Sequence, residues 1–200
     1  MRAGTFRTPR FRAVLSVAPV LLALLATLTP SASAQSLYRY APATQWGYTY
    51  AGPAANSASG TTPKTANLEK QSTINVNYVN FPDWAKKELQ LAVDIWAENF
   101  QSKVAITIDA TWSSSQSVAV LGSARPGGYF AGFSGAPDSS LWYPSALANA
   151  LAGKDLDIRS AEMKINVNSR GSWNRRGDGT PTTREYDLKS VFIHEMGHGL

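Results

Sequence analysis

The sequence predicts an α/β fold of the α+β kind, and three patterns predict it. Residues 73–79 and 104–112 alternate apolar with polar side chains, the two-residue period of half-buried strands. Residues 82–100 repeat apolar side chains every three to four positions, as a helix lying on a sheet must. A second helical segment, apolar nearly all round, closes the 200-residue chain from Asp187 to Leu200.

The chain opens on a targeting segment. Arg2, Arg7, Arg10 and Arg12 precede an apolar run from Ala13 to Leu28, interrupted by Ser16, Pro19 and Thr27. Ala32-Ser33-Ala34 then has the A-x-A form of a cleavage site, so residues 1–34 are expected to be a secretory signal peptide and the mature chain to start at Gln35. The expected location is secreted, extracellular or periplasmic. The run is shorter than the ~20 residues of a span and carries a proline, so no membrane span is expected after signal removal. Those four arginines account for most of the formal charge of +5, and the remainder of the chain is close to neutral. A nucleic-acid partner is therefore not expected. The chain has no cysteine, which excludes disulfides, thiolate metal sites and a lipid-anchored N terminus.

Residues 35–71 read as an extended N-terminal arm and linker. Tyr38, Tyr40, Trp46, Tyr48 and Tyr50 recur among Ala, Pro and Gly, and Ala51 to Thr65 is mostly Ala, Ser, Gly, Thr and Pro. The aromatic residues are expected to pin the arm onto its own domain; contact with a surface or glycan, or a short pro-segment, are the other roles open to them.

The ordered domain, residues 72–200, is expected to begin with a strand near Thr73, in which Ile74, Val76 and Tyr78 face one way and Asn75 and Asn77 the other. Pro82 suits a first helical turn and Asp83 complements its dipole, so a long helix should run to about Phe100. Val104, Ile106, Ile108, Ala110 and Trp112 make the apolar face of the clearest strand. Val118 to Leu121 should be a third strand, and the glycine-rich stretch 127–133 a short edge strand. Ser145 to Leu151 should be a short helix closed by Gly153, and residues 161–167 alternate again as a strand. A polar loop, 168–185, leads to the last helix, with Asp187 as its N-cap.

That helix contains His194-Glu195-Met196-Gly197-His198, and these two histidines are the only ones in the chain. A spacing of four places both imidazoles on one helix face, one turn apart, where they can hold one metal ion. Zinc suits nitrogen ligands in tetrahedral geometry. A carboxylate beside them, Glu195, can move protons to and from water. Leu188, Phe192 and Met196 fall on another side of the helix, which should pack on the sheet and leave the histidines facing a cleft.

Residues 187–200 resemble the active-site helix of the metzincins, the matrixin-like group in particular. The strand Ile165-Asn166-Val167-Asn168 followed by Trp173 is similar to the strand before that helix, and region 73–200 resembles secreted bacterial metallopeptidases with an H-E-[ML]-G-H-G-L motif. The resemblance implies a zincin-like upper subdomain: a mixed, mostly parallel sheet packed on the long helix and the active-site helix, with an antiparallel edge strand that takes substrate by strand addition. Residues 127–133 are the candidate for that edge. It further implies a zinc endopeptidase acting on protein or peptide substrates, with His194 and His198 as zinc ligands and Glu195 as general base. The metzincin pattern continues with a glycine and a third histidine, whereas this chain ends at Leu200. The expectation is thus a catalytic subdomain incomplete at its C terminus, a fragment that binds zinc weakly and is inactive by itself.

Two other readings stand beside this one. Asp109, Asp138, Asp155, Asp157 and Asp178 lie in or near loops where matrixin-like enzymes can hold calcium; their spacing fits no loop motif, and they read as solvated charge. From another functional class, the chain could be a secreted binding module that keeps a non-catalytic zincin half-fold and uses its aromatic arm on a cell-wall or glycan surface.

Overall fold

The computed structural model of the chain describes residues 38–51 and 69–200. The expected signal peptide, its cleavage site and most of the linker lie outside the described residues. Residues 38–51 carry two strands, β1 (Arg39–Pro42) and β2 (Gly47–Tyr50). The next strand, β3 (Ile74–Val79), has the expected alternation: Ile74, Val76 and Tyr78 turn inward while Asn75, Asn77 and Val79 are exposed.

Helix α1 (Asp83–Asn99) starts after Pro82, whose extended backbone ends the strand connection and whose carbonyl accepts from the Ala85 and Lys86 N–H groups. Asp83 in its first turn pairs with Lys86 at 2.9 Å. Ala85, Leu89, Ala92, Val93 and Ala97 bury one face. The helix stops at Asn99, where the Phe100 N–H closes on the Trp96 carbonyl at 2.8 Å.

Strand β4 (Ile106–Ser113) buries Ile106, Ile108 and Ala110. Strand β5 (Val120–Pro126) starts later than the expected Val118, which lies in an exposed turn, runs on past the expected end at Leu121, and is buried along nearly its whole length. Then follow β6 (Gly128–Ala131), β7 (Tyr143–Pro144), α2 (Ser145–Ala152), β8 (Met163–Asn168) and α3 (Leu188–Gly197). Gly153 ends α2 with φ 66°, the left-handed conformation that a Cβ disfavours.

The main sheet has five strands in the order β2-β5-β8-β4-β3. β3, β4 and β8 run parallel, and α1 makes the crossover from β3 to β4. β5 is antiparallel to β8, and β2 is antiparallel to β5. The sheet is therefore mixed as expected, but its pairings divide evenly rather than being mostly parallel, because the N-terminal segment adds a strand. The stretch 127–133 also departs from expectation. β6 is not an edge: it lies between β1 and β7 in a separate antiparallel sheet. β1 covers it there, with the Tyr40 ring lying on Gly128, where any larger residue would collide.

One face of the main sheet holds the core. Ile106, Ile108, Ala110, Met163, Ile165 and Val167 pack against Leu89, Ala92 and Val93 of α1 and Leu188, Phe192 and Met196 of α3. The opposite face carries Asn75, Asn77, Thr107, Asp109, Lys164 and Asn166, so helices cover only one side. A smaller core of Phe130, Phe133, Ala148 and Leu156 joins the second sheet to α2. No described helix is long and apolar enough to cross a membrane.

Candidate metal centre

The motif is positioned by the way α3 is capped and packed. Asp187 has extended backbone, and its carboxylate accepts from the Ser190 N–H at 3.0 Å and the Ser190 hydroxyl at 2.5 Å, satisfying donors the first turn leaves free. Leu188, Phe192 and Met196 are fully buried, which fixes the roll of the helix against the sheet. The Trp96 indole of α1 donates to the Ile193 carbonyl at 3.1 Å and fixes its height. With those contacts set, His194 and His198 point outward and are exposed, while Glu195 points inward.

His194 is in the last turn of α3, and His198 caps it with backbone still helical at φ −77° and ψ −17°. The four-residue spacing thus keeps its geometric meaning past the formal end of the helix. The two Nε2 atoms are 3.1 Å apart and the rings meet edge to face. Two imidazole nitrogens on one zinc ion, each about 2.0–2.1 Å from it at a near-tetrahedral angle, lie about 3.3 Å apart. The pair therefore fits two corners of such a site; without metal, the same contact is a hydrogen bond from one Nε2–H to the other ring. Partial desolvation where the His198 ring lies on Gly47 lowers its proton affinity, and the neighbouring His194 charge lowers it further. Both effects favour the neutral imidazole, which is the ligating form.

Glu195 has no solvent exposure. Its Oε1 accepts a 2.5 Å hydrogen bond from the Thr49 hydroxyl of β2, and its Oε2 has no partner. Burial pushes its carboxyl up to about 7, against the lowering effect of the Thr49 hydroxyl and backbone N–H. A carboxyl balanced near neutrality can both accept and return a proton. The side chain fits because its neighbours are small. A Cβ at Gly122 of β5 would sit 3.0 Å from Oε1, and a Cβ at Gly47 of β2 would come within 2.5 Å of the His198 ring.

Among the described residues, no group of three His, Cys, Asp or Glu side chains is placed to hold one metal ion. Of the five aspartates, Asp109 lies within β4 rather than in a loop, and all five have local partners. Asp109 accepts from Asn77, Asp138 from Ser140, and Asp155 from Asn149 and the Asp157 N–H. Asp157 accepts from Ser160, and Asp178 from Asn174 and Arg176. Arg176 also forks onto Glu185, at 2.7 and 3.0 Å.

Gly47, Thr49 and Gly122 touch the motif and were not singled out by sequence reasoning. The one available signal was the alternation Gly47-Tyr48-Thr49-Tyr50, a strand with one small face and one aromatic face. Comparison of the chain with family models, with curated proteins and with solved structures yields no match.

Proposed function

We propose that this chain carries the metal-binding and proton-transferring residues of a secreted zinc-dependent endopeptidase, acting on protein or peptide substrates. The observation that supports the reading best is the convergence on one helix of two facing imidazoles, 3.1 Å apart at Nε2, and a buried carboxylate of raised proton affinity. His194 and His198 would hold the ion through those nitrogens. Zinc, when bound, lowers the pKa of water to about 7 and polarises a carbonyl. Glu195 takes the proton of the attacking water and hands it to the leaving amine, so that one side chain serves as base and then acid. Leu188, Phe192 and Met196, buried in the core on the other side of α3, hold the motif rigid.

Replacing Glu195 with Gln tests the reading. Hydrolysis of casein by the zinc-supplemented chain should fall about 100-fold or more, the scale of a lost general base. Zinc binding, measured by calorimetry, should persist. Casein cleavage at the unaltered rate by Glu195→Gln would remove Glu195 from the mechanism.

A further inference from the structure

β5 is the antiparallel strand beside the motif, and both its edges are taken: β8 pairs along one and β2 along the other. β2 is not simply another sheet strand. It pairs Gly47 with Ala124, Tyr48 with Ser123 and Thr49 with Gly122, then slips register before Tyr50 meets Val120. Its two small residues face the motif. Gly47 lies directly on the His198 ring, and the Thr49 hydroxyl holds Glu195 Oε1. Its two large residues, Tyr48 and Tyr50, turn outward, exposed and with ring centroids 6.1 Å apart. The strand backbone therefore lies across the carboxylate and one imidazole together.

The consequence falls on Glu195. A group that exchanges protons with an attacking water must touch water, yet Glu195 is fully buried and its Oε2 has no partner inside the protein. A buried carboxylate with a purely structural role has both oxygens satisfied, as Glu162 has from Thr107 and Asn149. The contact with Thr49 is thus a poor resting place for Glu195, and a four-residue edge pairing with a register slip is a weak holder. An extended peptide adding to the free edge of β5 would use the same main-chain groups that β2 now occupies.

We propose that β2 is an internal occluding strand, seated along β5 where an extended peptide would lie and sealing Glu195 from water and substrate until it is displaced. The inference rests on the peptidase reading for the identity of what is excluded, but not for the shielding itself. Displacement bares one edge of β5, opens the carboxylate to solvent and costs α3 its contact with β2, while α3 stays packed on α1 and β5 with Leu188, Phe192 and Met196 in the core.

The test is carbodiimide-driven coupling of an amine to Glu195 in the full chain, read by peptide mass spectrometry, beside casein hydrolysis with zinc. Thr49→Pro removes both the hydroxyl and the backbone N–H. Coupling at Glu195 should rise roughly tenfold, the worth of a lost hydrogen bond to a charged group, and hydrolysis should rise with it. Glu162 serves as the internal control: a variant in which it also couples has unfolded. In that event Thr49→Val, which keeps the strand and loses only the hydroxyl, carries the comparison with the same expected direction. Equal coupling at Glu195 in parent and variant overturns the proposal. A rise in coupling with a fall in hydrolysis also overturns it, because β2 then positions Glu195 rather than blocking it. A rise in coupling with no hydrolysis by either chain upholds the occlusion independently of the peptidase reading.

Discussion

Glu162 and Glu195 are both buried carboxylates, yet their partners differ. Glu162 Oε2 accepts from the Thr107 N–H at 2.6 Å and Oε1 from Asn149 at 3.1 Å, so it joins β4, α2 and the start of β8 as a structural knot. Burial raises its proton affinity, opposed by the backbone hydrogen bonds and assisted by Asp155 and Asp157. Glu88 is raised as well, by burial first and Asp187 next. A carboxyl whose folded pKa lies above the unfolded value, about 4.3, binds its proton more tightly in the fold. Its contribution is complete below that unfolded value and is lost as pH rises through the folded one. Asp178 and Glu185 act in the other direction. Hydrogen bonds from Asn174 and Thr180 lower Asp178, and the Arg176 fork lowers Glu185 to about 2. Their contribution is present above the unfolded pKa and lost as pH falls. The buried Glu88 and Glu162 thus act on the alkaline side of the carboxylate range, and Asp178 and Glu185 on the acid side. Thermal unfolding across pH 4 to pH 8, on the order of the carboxylate range and above it, should show stability falling toward the alkaline end. Glu162→Gln should flatten that slope. A slope unchanged in the variant would remove Glu162 as a source.

At the scale of elements, α3 carries the site only because its other faces are committed. Phe192 is fully buried in the main core, with the Phe81 ring 6.0 Å away. Phe192→Ala should cost about 3–5 kcal/mol, the range for deleting a buried aromatic ring. Asp187→Ala removes the cap and should cost about 1 kcal/mol. Denaturant midpoints measure both. The cap variant should keep its affinity for zinc, because the histidines sit at the opposite end of the helix, whereas a loss of zinc with the cap would tie metal binding to the helix start. The elements themselves were legible where one period runs unbroken: Ile74 to Val79, Asp83 to Asn99 and Ile106 to Ser113 follow their apolar repeats closely. β5 was cut short at Leu121 in the sequence because Gly122, Ser123 and Ala124 show no apolar alternation. Gly122 lacks a side chain where Glu195 presses on that strand, a cause that local pattern cannot display.

For the whole molecule, the least legible relationship is the longest in sequence. Thr49 and Glu195 are 146 residues apart, and nothing near Thr49 announces a partner at the other end of the chain. The same holds for β1, which converts the glycine-rich stretch 127–133 from an expected edge into the middle of a second sheet. By contrast, the facing of His194 and His198 was legible at once, since four-residue spacing on a helix fixes relative direction without help from the rest of the fold. The N-terminal segment therefore does more than tether: it adds a strand to both sheets and touches Glu195 and His198. The central claim is that the two imidazoles share one ion, and calorimetric titration of zinc into the full chain tests it most directly, beside His194→Gln and His198→Gln. The account predicts one zinc per chain and an affinity at least roughly tenfold lower in each variant, the scale of a perturbed metal-site ligand environment. Binding of equal strength in parent and variants, or no binding by the parent, would contradict it.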